Sequence, residues 1–158
     1  MTAKLKTAVL GATGYSGLEL TRLLLRHPRV EKPALLRRSA DDGASDLADV
    51  FPALSGNGGY PLRPLSWSTL KQRGVELLFL ATPHDVSRKL APEGIANGIR
   101  VIDLSGAWRL NHASNRAVYK FEDEGSSAAV SVQAKSIYGM PELHRQQSHR
   151  VSSPQHLR

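Results

Sequence analysis

Gly11-Ala12-Thr13-Gly14-Tyr15-Ser16-Gly17 follows a short apolar run, Lys6-Thr7-Ala8-Val9-Leu10, and opens a leucine-rich stretch. The run before it has the composition of a buried strand. The stretch after Ser16, with Leu18, Leu20, Leu23, Leu24 and Leu25, predicts a helix that stops near His27-Pro28. Glycines three residues apart let the backbone turn tightly and approach a diphosphate, whose charge then rests on free N–H groups at the helix start. The same spacing also occurs in ordinary turns, but a strand–turn–helix setting favours dinucleotide binding. Gly11, Thr13, Gly14, Tyr15, Ser16 and Gly17 are therefore candidate cofactor-binding residues.

Outward from the turn, Pro33-Ala34-Leu35-Leu36-Arg37 reads as a second strand. In a doubly wound sheet its carboxyl end lies beside the glycine turn, where an adenosine ribose would sit. An acidic side chain there suits NAD. This chain offers Arg37-Arg38-Ser39, and guanidinium plus hydroxyl suits a 2′-phosphate. That favours NADP(H), while Asp41 and Asp42 nearby and the plain reading of a surface arginine pair keep the alternative open.

The remaining pattern is α/β. Residues 41–60 read as a loop with a short helix around Leu47–Phe51, and Tyr60–Leu65, with two prolines, as an edge strand. Ser66 is placed to cap a short helix containing Trp67 and Leu70 that stops at Gly74. Val75–Ala81 is a near-continuous apolar run of the kind found in central parallel strands. Pro83 suits the first turn of a helix running to Asn97-Gly98, and Ile99–Leu104 is another strand. The order is that of a Rossmann-like doubly wound parallel sheet in a single domain. From Ser105 the regularity fades into a polar, loop-like span to about Lys135. A turn at Ile137–Leu143 follows, and the acid-free last sixteen residues read as poorly ordered.

Composition bounds the function. With 158 residues, 41% hydrophobic and 22% charged, the chain suits one globular domain. It has no apolar stretch of membrane-span length and no secretion signal at its start, which favours a cytoplasmic protein without a membrane partner. There is no cysteine, so no thiol nucleophile and no thiolate metal site stands within these residues. His144, His149 and His156 are spaced too irregularly for one helix face, and no metal site is expected. The net charge of +7 invites a nucleic-acid reading. Most of the excess falls in residues 1–38, around the expected phosphate site, and no aromatic–basic interleaving or helix-turn-helix accompanies it. No nucleic-acid partner is expected. Trp108 reads as a packing residue rather than a ligand platform. Asp103, at a strand's carboxyl end, reads equally as functional or as a loop cap, and His84 as bonded to backbone or as lying beside the cofactor.

Four separated segments resemble the N-acetyl-γ-glutamyl-phosphate reductases of arginine biosynthesis. They are Gly11–Leu20, Ala81-Thr82-Pro83-His84-Asp85-Val86-Ser87, Val101–Ser105 and Tyr138-Gly139-Met140-Pro141-Glu142-Leu143. The first looks like the family's cofactor turn, which aspartate-semialdehyde dehydrogenases share. The second resembles its Leu-Pro-His-Gly segment, which implies that Pro83 and His84 lie along the cofactor near the nicotinamide. The fourth is similar to its Tyr-Gly-Leu-Pro-Glu-Leu signature. The resemblance implies NADPH-dependent reduction of an acyl phosphate, N-acetyl-glutamyl phosphate, through attack by a thiolate and hydride transfer to the resulting thioester. Arginines would hold the anionic substrate.

The chain departs from the family at two places. Ser105-Gly106-Ala107-Trp108-Arg109 stands where the family has Ser-Ala-Asp-Phe-Arg; Arg109 remains a candidate substrate residue. Gln155-His156 falls where the family reads toward Gly-Cys. The resemblance therefore implies an NAD(P)-binding domain over residues 1–145 and a divergent tail over 146–158. It also implies a truncation before the catalytic cysteine and the substrate and dimerisation domain, with no catalytic residue and no reductase turnover in this chain. Its oligomeric state stays open. Other readings are a non-catalytic NADP-binding module, a fragment of the lysine-pathway N-acetyl-aminoadipyl-phosphate reductase, and an aspartate-semialdehyde dehydrogenase relative.

Overall fold

The structure is a computed structural model that describes residues 3–38, 44–55, 59–110, 112–121, 125–140 and 142–143. Its centre is a five-stranded parallel sheet in the order β3-β2-β1-β4-β5, with β1 Thr7–Leu10, β2 Ala34–Arg37, β3 Leu62–Pro64, β4 Leu77–Leu80 and β5 Arg100–Asp103. β1 is flanked on both sides, Val9 pairing with Leu35 of β2 and Phe79 of β4. The chain moves outward from β1 to β3, then crosses back to β4. That reversal makes the carboxyl ends of β1 and β4 a topological switch point, the place where open α/β sheets bind ligands. The expected Rossmann-like doubly wound sheet is present.

Helices cover both faces, and the period-2 alternation of the strands sorts the apolar side chains between them. Ala8, Leu10, Leu36, Leu78 and Leu80 pack with Leu70 of α3 (Trp67–Gln72), Ala91 of α4 (His84–Ala96) and Ala129 and Val132 of α6 (Ser127–Lys135). Val9, Leu35, Leu62 and Phe79 pack on the other side with Leu18 and Leu24 of α1 (Tyr15–Arg26) and Leu47 of α2 (Leu47–Val50). Each fully buried leucine on β1 and β4 contributes about 1.5–3 kcal/mol. Two cores on one sheet hold the crevice between β1 and β4 in place.

Most sequence-derived boundaries agree with the structure to within a residue or two. Ser66 caps α3 by accepting the Thr69 N–H, Asn97 ends α4, and β3 lies at the sheet edge. The span read as loop-like to Lys135 is a correction: it contains the short helix α5 (Ala113–Arg116) and the nine-residue α6. Ser126 accepts the Ala129 N–H at 3.1 Å and starts α6, whose Ala129 and Val132 complete one core. The serine cap and the three-residue apolar spacing were in the sequence, but the helix is too short for its periodicity to stand out from the polar residues around it. Trp108 packs in the core as expected. The expected disordered tail, residues 146–158, and His144, His149 and His156 lie outside the described residues. No described helix is long and apolar enough to cross a membrane, and the described residues hold no group of potential metal ligands.

Candidate functional site

The glycine turn joins β1 directly to α1. Gly11 has φ +89°, a left-handed conformation that disfavours any side chain, and it is wedged against β4: a Cβ there would collide with the Ala81 carbonyl. Gly17 is equally constrained, since its Cβ would meet the Gly11 carbonyl. Both are required by the packing of the turn itself. Gly14 differs. Its φ is −83°, and a Cβ would find only the Gly11 oxygen, at 3.6 Å. Apart from its chain neighbours, no other atom of the described residues lies within 4 Å of that position.

Gly14 is also the N-cap of α1, and no side chain caps this helix end. Helical geometry leaves the first-turn N–H groups of Tyr15, Ser16 and Gly17 without carbonyl partners within the helix. No acidic side chain occupies the first turn. Thr13, Gly14, Tyr15 and Ser16 are all exposed, whereas Ala12 and Gly17 are buried. An exposed strip of donors with two hydroxyls, on a rigid turn at the switch point, is matched to an anion.

At the adjacent strand end, the Gly11 N–H reaches the Leu36 carbonyl at 3.4 Å, which holds the end of β2 against the turn. Arg37 donates from Nη1 to the Ala44 carbonyl at 3.2 Å, and its buried Nε has no hydrogen-bond partner among the described residues. Arg38 is exposed. Ser39, Asp41 and Asp42 lie outside the described residues. Arg38 is thus the cation that this corner exposes to an anionic group, beside the half-buried Arg37.

Across the crevice, β4 and β5 end in a hydrogen-bonded cluster that the sequence reading did not assemble. The Asp103 carboxylate accepts from the Ser87 hydroxyl at 2.9 Å, the Ser105 N–H at 2.9 Å and the Ser105 hydroxyl at 2.7 Å. Ser87, fully buried, gives its hydrogen to Asp103 and so receives the Thr82 hydroxyl, 2.9 Å away. The Ala107 N–H in turn donates to the Ser105 hydroxyl at 3.1 Å. Asp103 is thus the loop cap of the two readings left open. His84 follows the backbone-bonded reading, its Nδ1 accepting the Gly106 N–H at 2.9 Å. That bond requires an unprotonated Nδ1 and places the ring hydrogen on Nε2. Hydroxyl residues at 82, 87 and 105 around a strand-end Asp were the available signal.

The loop beyond β5 is locked by Arg88, 4% exposed, whose guanidinium lies 4.1 Å from the Trp108 ring and 4.5 Å from the Phe121 ring. Arg88 also donates to the Ala107 carbonyl at 3.4 Å. Arg109, next in the chain, is exposed; it donates to the Ser105 carbonyl at 3.4 Å and stands 5.6 Å from the Tyr138 ring. The structure therefore brings Pro83, His84 and Arg109 to one edge and the glycine turn with Arg37 and Arg38 to the other side of the crevice. The expected gathering of basic charge around the turn needs correction. Lys6 and Lys32 line a cavity at the amino ends of the strands, the opposite pole.

Comparison with known proteins agrees with this geometry. Residues 6–151 match the family model described as semialdehyde dehydrogenase, NAD binding domain. A protein of Pasteurella multocida named N-acetyl-gamma-glutamyl-phosphate reductase is 37% identical over 145 residues, covering 90% of this chain and 42% of that protein. One of the same name from Desulfotalea psychrophila is 40% identical over 143 residues, covering 90% of this chain and 39% of that protein. Among solved structures, a probable aspartate-semialdehyde dehydrogenase from Pseudomonas aeruginosa superposes with TM-score 0.50 at 31% identity, covering 66% of this chain and 29% of that one. The chain spans about two-fifths of the length of the curated relatives it matches.

Proposed function

The chain belongs to the family of semialdehyde dehydrogenase NAD-binding domains, and from that premise we propose that it is the NADP(H)-binding part of an acyl-phosphate reductase acting on N-acetyl-glutamyl phosphate. The uncapped, exposed start of α1 at the β1–β4 switch point carries this reading. The relatives named N-acetyl-gamma-glutamyl-phosphate reductase support the substrate class. A cytoplasmic location belongs to the same proposal.

Each residue then has a physical task. The amides of Tyr15, Ser16 and Gly17 and the hydroxyls of Thr13 and Ser16 hold the diphosphate, which lies over the open space at Gly14. Arg38, with Arg37 and Ser39, neutralises the 2′-phosphate. Pro83 and His84 form the wall beside the nicotinamide, set in place by the Gly106 N–H. Arg109 supplies a cation for the substrate's anionic end. When bound, the cofactor supplies the hydride for reduction at the acyl carbon. These 158 residues contain no cysteine and so do not themselves supply the thiol that such chemistry needs. The protein's own share is orientation and charge neutralisation.

Calorimetric titration of the chain with NADPH and NADH tests the proposal. Saturable one-site binding, tighter for NADPH, is expected. Absence of binding for both nucleotides overturns it.

A further inference from the structure

The opposite pole of the sheet holds a second cavity, of about 510 Å³, at the amino ends of β1, β2 and β3. Four cations line it: Lys6, Lys32, Arg63 and Arg73, with Glu31 as the acidic member of the lining. No carboxylate lies within ion-pair distance of any of the four among the described residues; the ion pair found there is Arg22 with Glu19, on α1. Lys32 is exposed but fixed in place, donating from Nζ to the Gly59 carbonyl at 2.6 Å and standing 4.4 Å over the buried Tyr60 ring. The cavity wall also includes Thr7, 3% exposed, whose buried hydroxyl has no hydrogen-bond partner among the described residues. All four cations are exposed at the rim of the cavity, and their charges converge on one concavity floored by the buried Thr7.

From this we propose that the amino-end cavity is a second anion site, one that takes a small molecule carrying several phosphate-type charges. Like charges around one concavity repel one another and raise the local potential; a polyanion relieves that repulsion. The volume lies in the range of small-molecule sites. The aromatic ring at the cavity, Tyr60, is buried beneath Lys32 and offers no face on which a nucleobase could stack, which disfavours single-stranded nucleic acid. The site uses none of the residues assigned to the dinucleotide crevice.

Inorganic triphosphate is the probe, titrated into the 158-residue chain with and without saturating NADPH. One-site binding that survives NADPH is expected. The double substitution Arg63→Ala with Arg73→Ala weakens it at least tenfold, and Arg63→Lys with Arg73→Lys restores most of the loss. Cofactor affinity stays within twofold throughout. Unchanged triphosphate binding in the double-alanine protein, or stoichiometric displacement by NADPH, overturns the proposal. Affinity that climbs with oligonucleotide length past that of triphosphate also overturns it, in favour of a nucleic-acid face.

Discussion

Ser87 and Asp103 are joined by a 2.9 Å hydrogen bond that ties the first turns of α4 to the end of β5. Because Asp103 also caps the Ser105 turn, one carboxylate fixes both segments at the carboxyl ends of β4 and β5. Asp103→Asn replaces one accepting oxygen with a donor and leaves one of these groups unsatisfied. Loss of a hydrogen bond to a charged group costs about 1.5–3 kcal/mol. The expected outcome is a lower midpoint in urea unfolding together with a several-fold weaker NADPH affinity. Unchanged values for both would show that the cluster does not shape the crevice.

The glycines of the turn separate folding from binding. Gly17→Ala drives a Cβ into the Gly11 carbonyl, a backbone group that cannot rotate aside. Overpacking of this kind costs about 1–3 kcal/mol, and urea unfolding is expected to show it. Gly14→Ala has ordinary contact distance and an allowed φ, so stability is expected to change by less than about 1 kcal/mol. Its methyl group, however, fills the space left to the diphosphate. Cofactor affinity is expected to fall at least tenfold in a protein that remains folded. Unimpaired binding by Gly14→Ala would remove the diphosphate from this turn.

The proposed 2′-phosphate contact makes Arg38 the test of nucleotide choice. Arg38→Ala is expected to weaken NADPH binding about tenfold while leaving NADH within twofold, since only the former has a phosphate at that corner. Calorimetry with both nucleotides reads the difference. Equal losses for the two would place Arg38 on a shared part of the cofactor.

Acid stability has a local source in α2. Asp49 accepts the Asp46 N–H at 2.9 Å, and this bond, with those from the Ser45 N–H and hydroxyl, holds its carboxyl below the usual range despite some desolvation. A carboxyl lowered in the folded state contributes stability that is present above its unfolded pKa and is lost as pH falls through the folded one. Wild type is therefore expected to lose part of its stability at pH values below the ordinary carboxylate range. In Asp49→Asn that portion of the pH dependence disappears. Superimposable acid profiles of the two proteins would contradict the assignment.

The sequence made the sheet legible because β1 and β4 are buried on both faces and carry unbroken apolar runs. Gly11, Gly14 and Gly17 fall at the one crossover where such a run meets a leucine-rich helix. Legibility ended where function depends on contacts between distant residues. Asp103 was visible as a strand-end acid, but its bond to Ser87 is set by the packing of α4 on β5, sixteen positions apart. The stacking of Arg88 between Trp108 and Phe121 likewise joins residues twenty and more positions apart, which no local pattern shows. The poles of the charge distribution were hidden too, because Lys6 and Gly11 are neighbours in the chain yet stand at opposite ends of a strand.

The contact between Gly11 and the Ala81 carbonyl has one further meaning. A side chain at position 11 would have to displace the end of β4, so the path of the turn out of β1 is set by the packing of the two central strands. Under the proposed function, a backbone fixed by such packing lowers the ordering cost of taking up a dinucleotide.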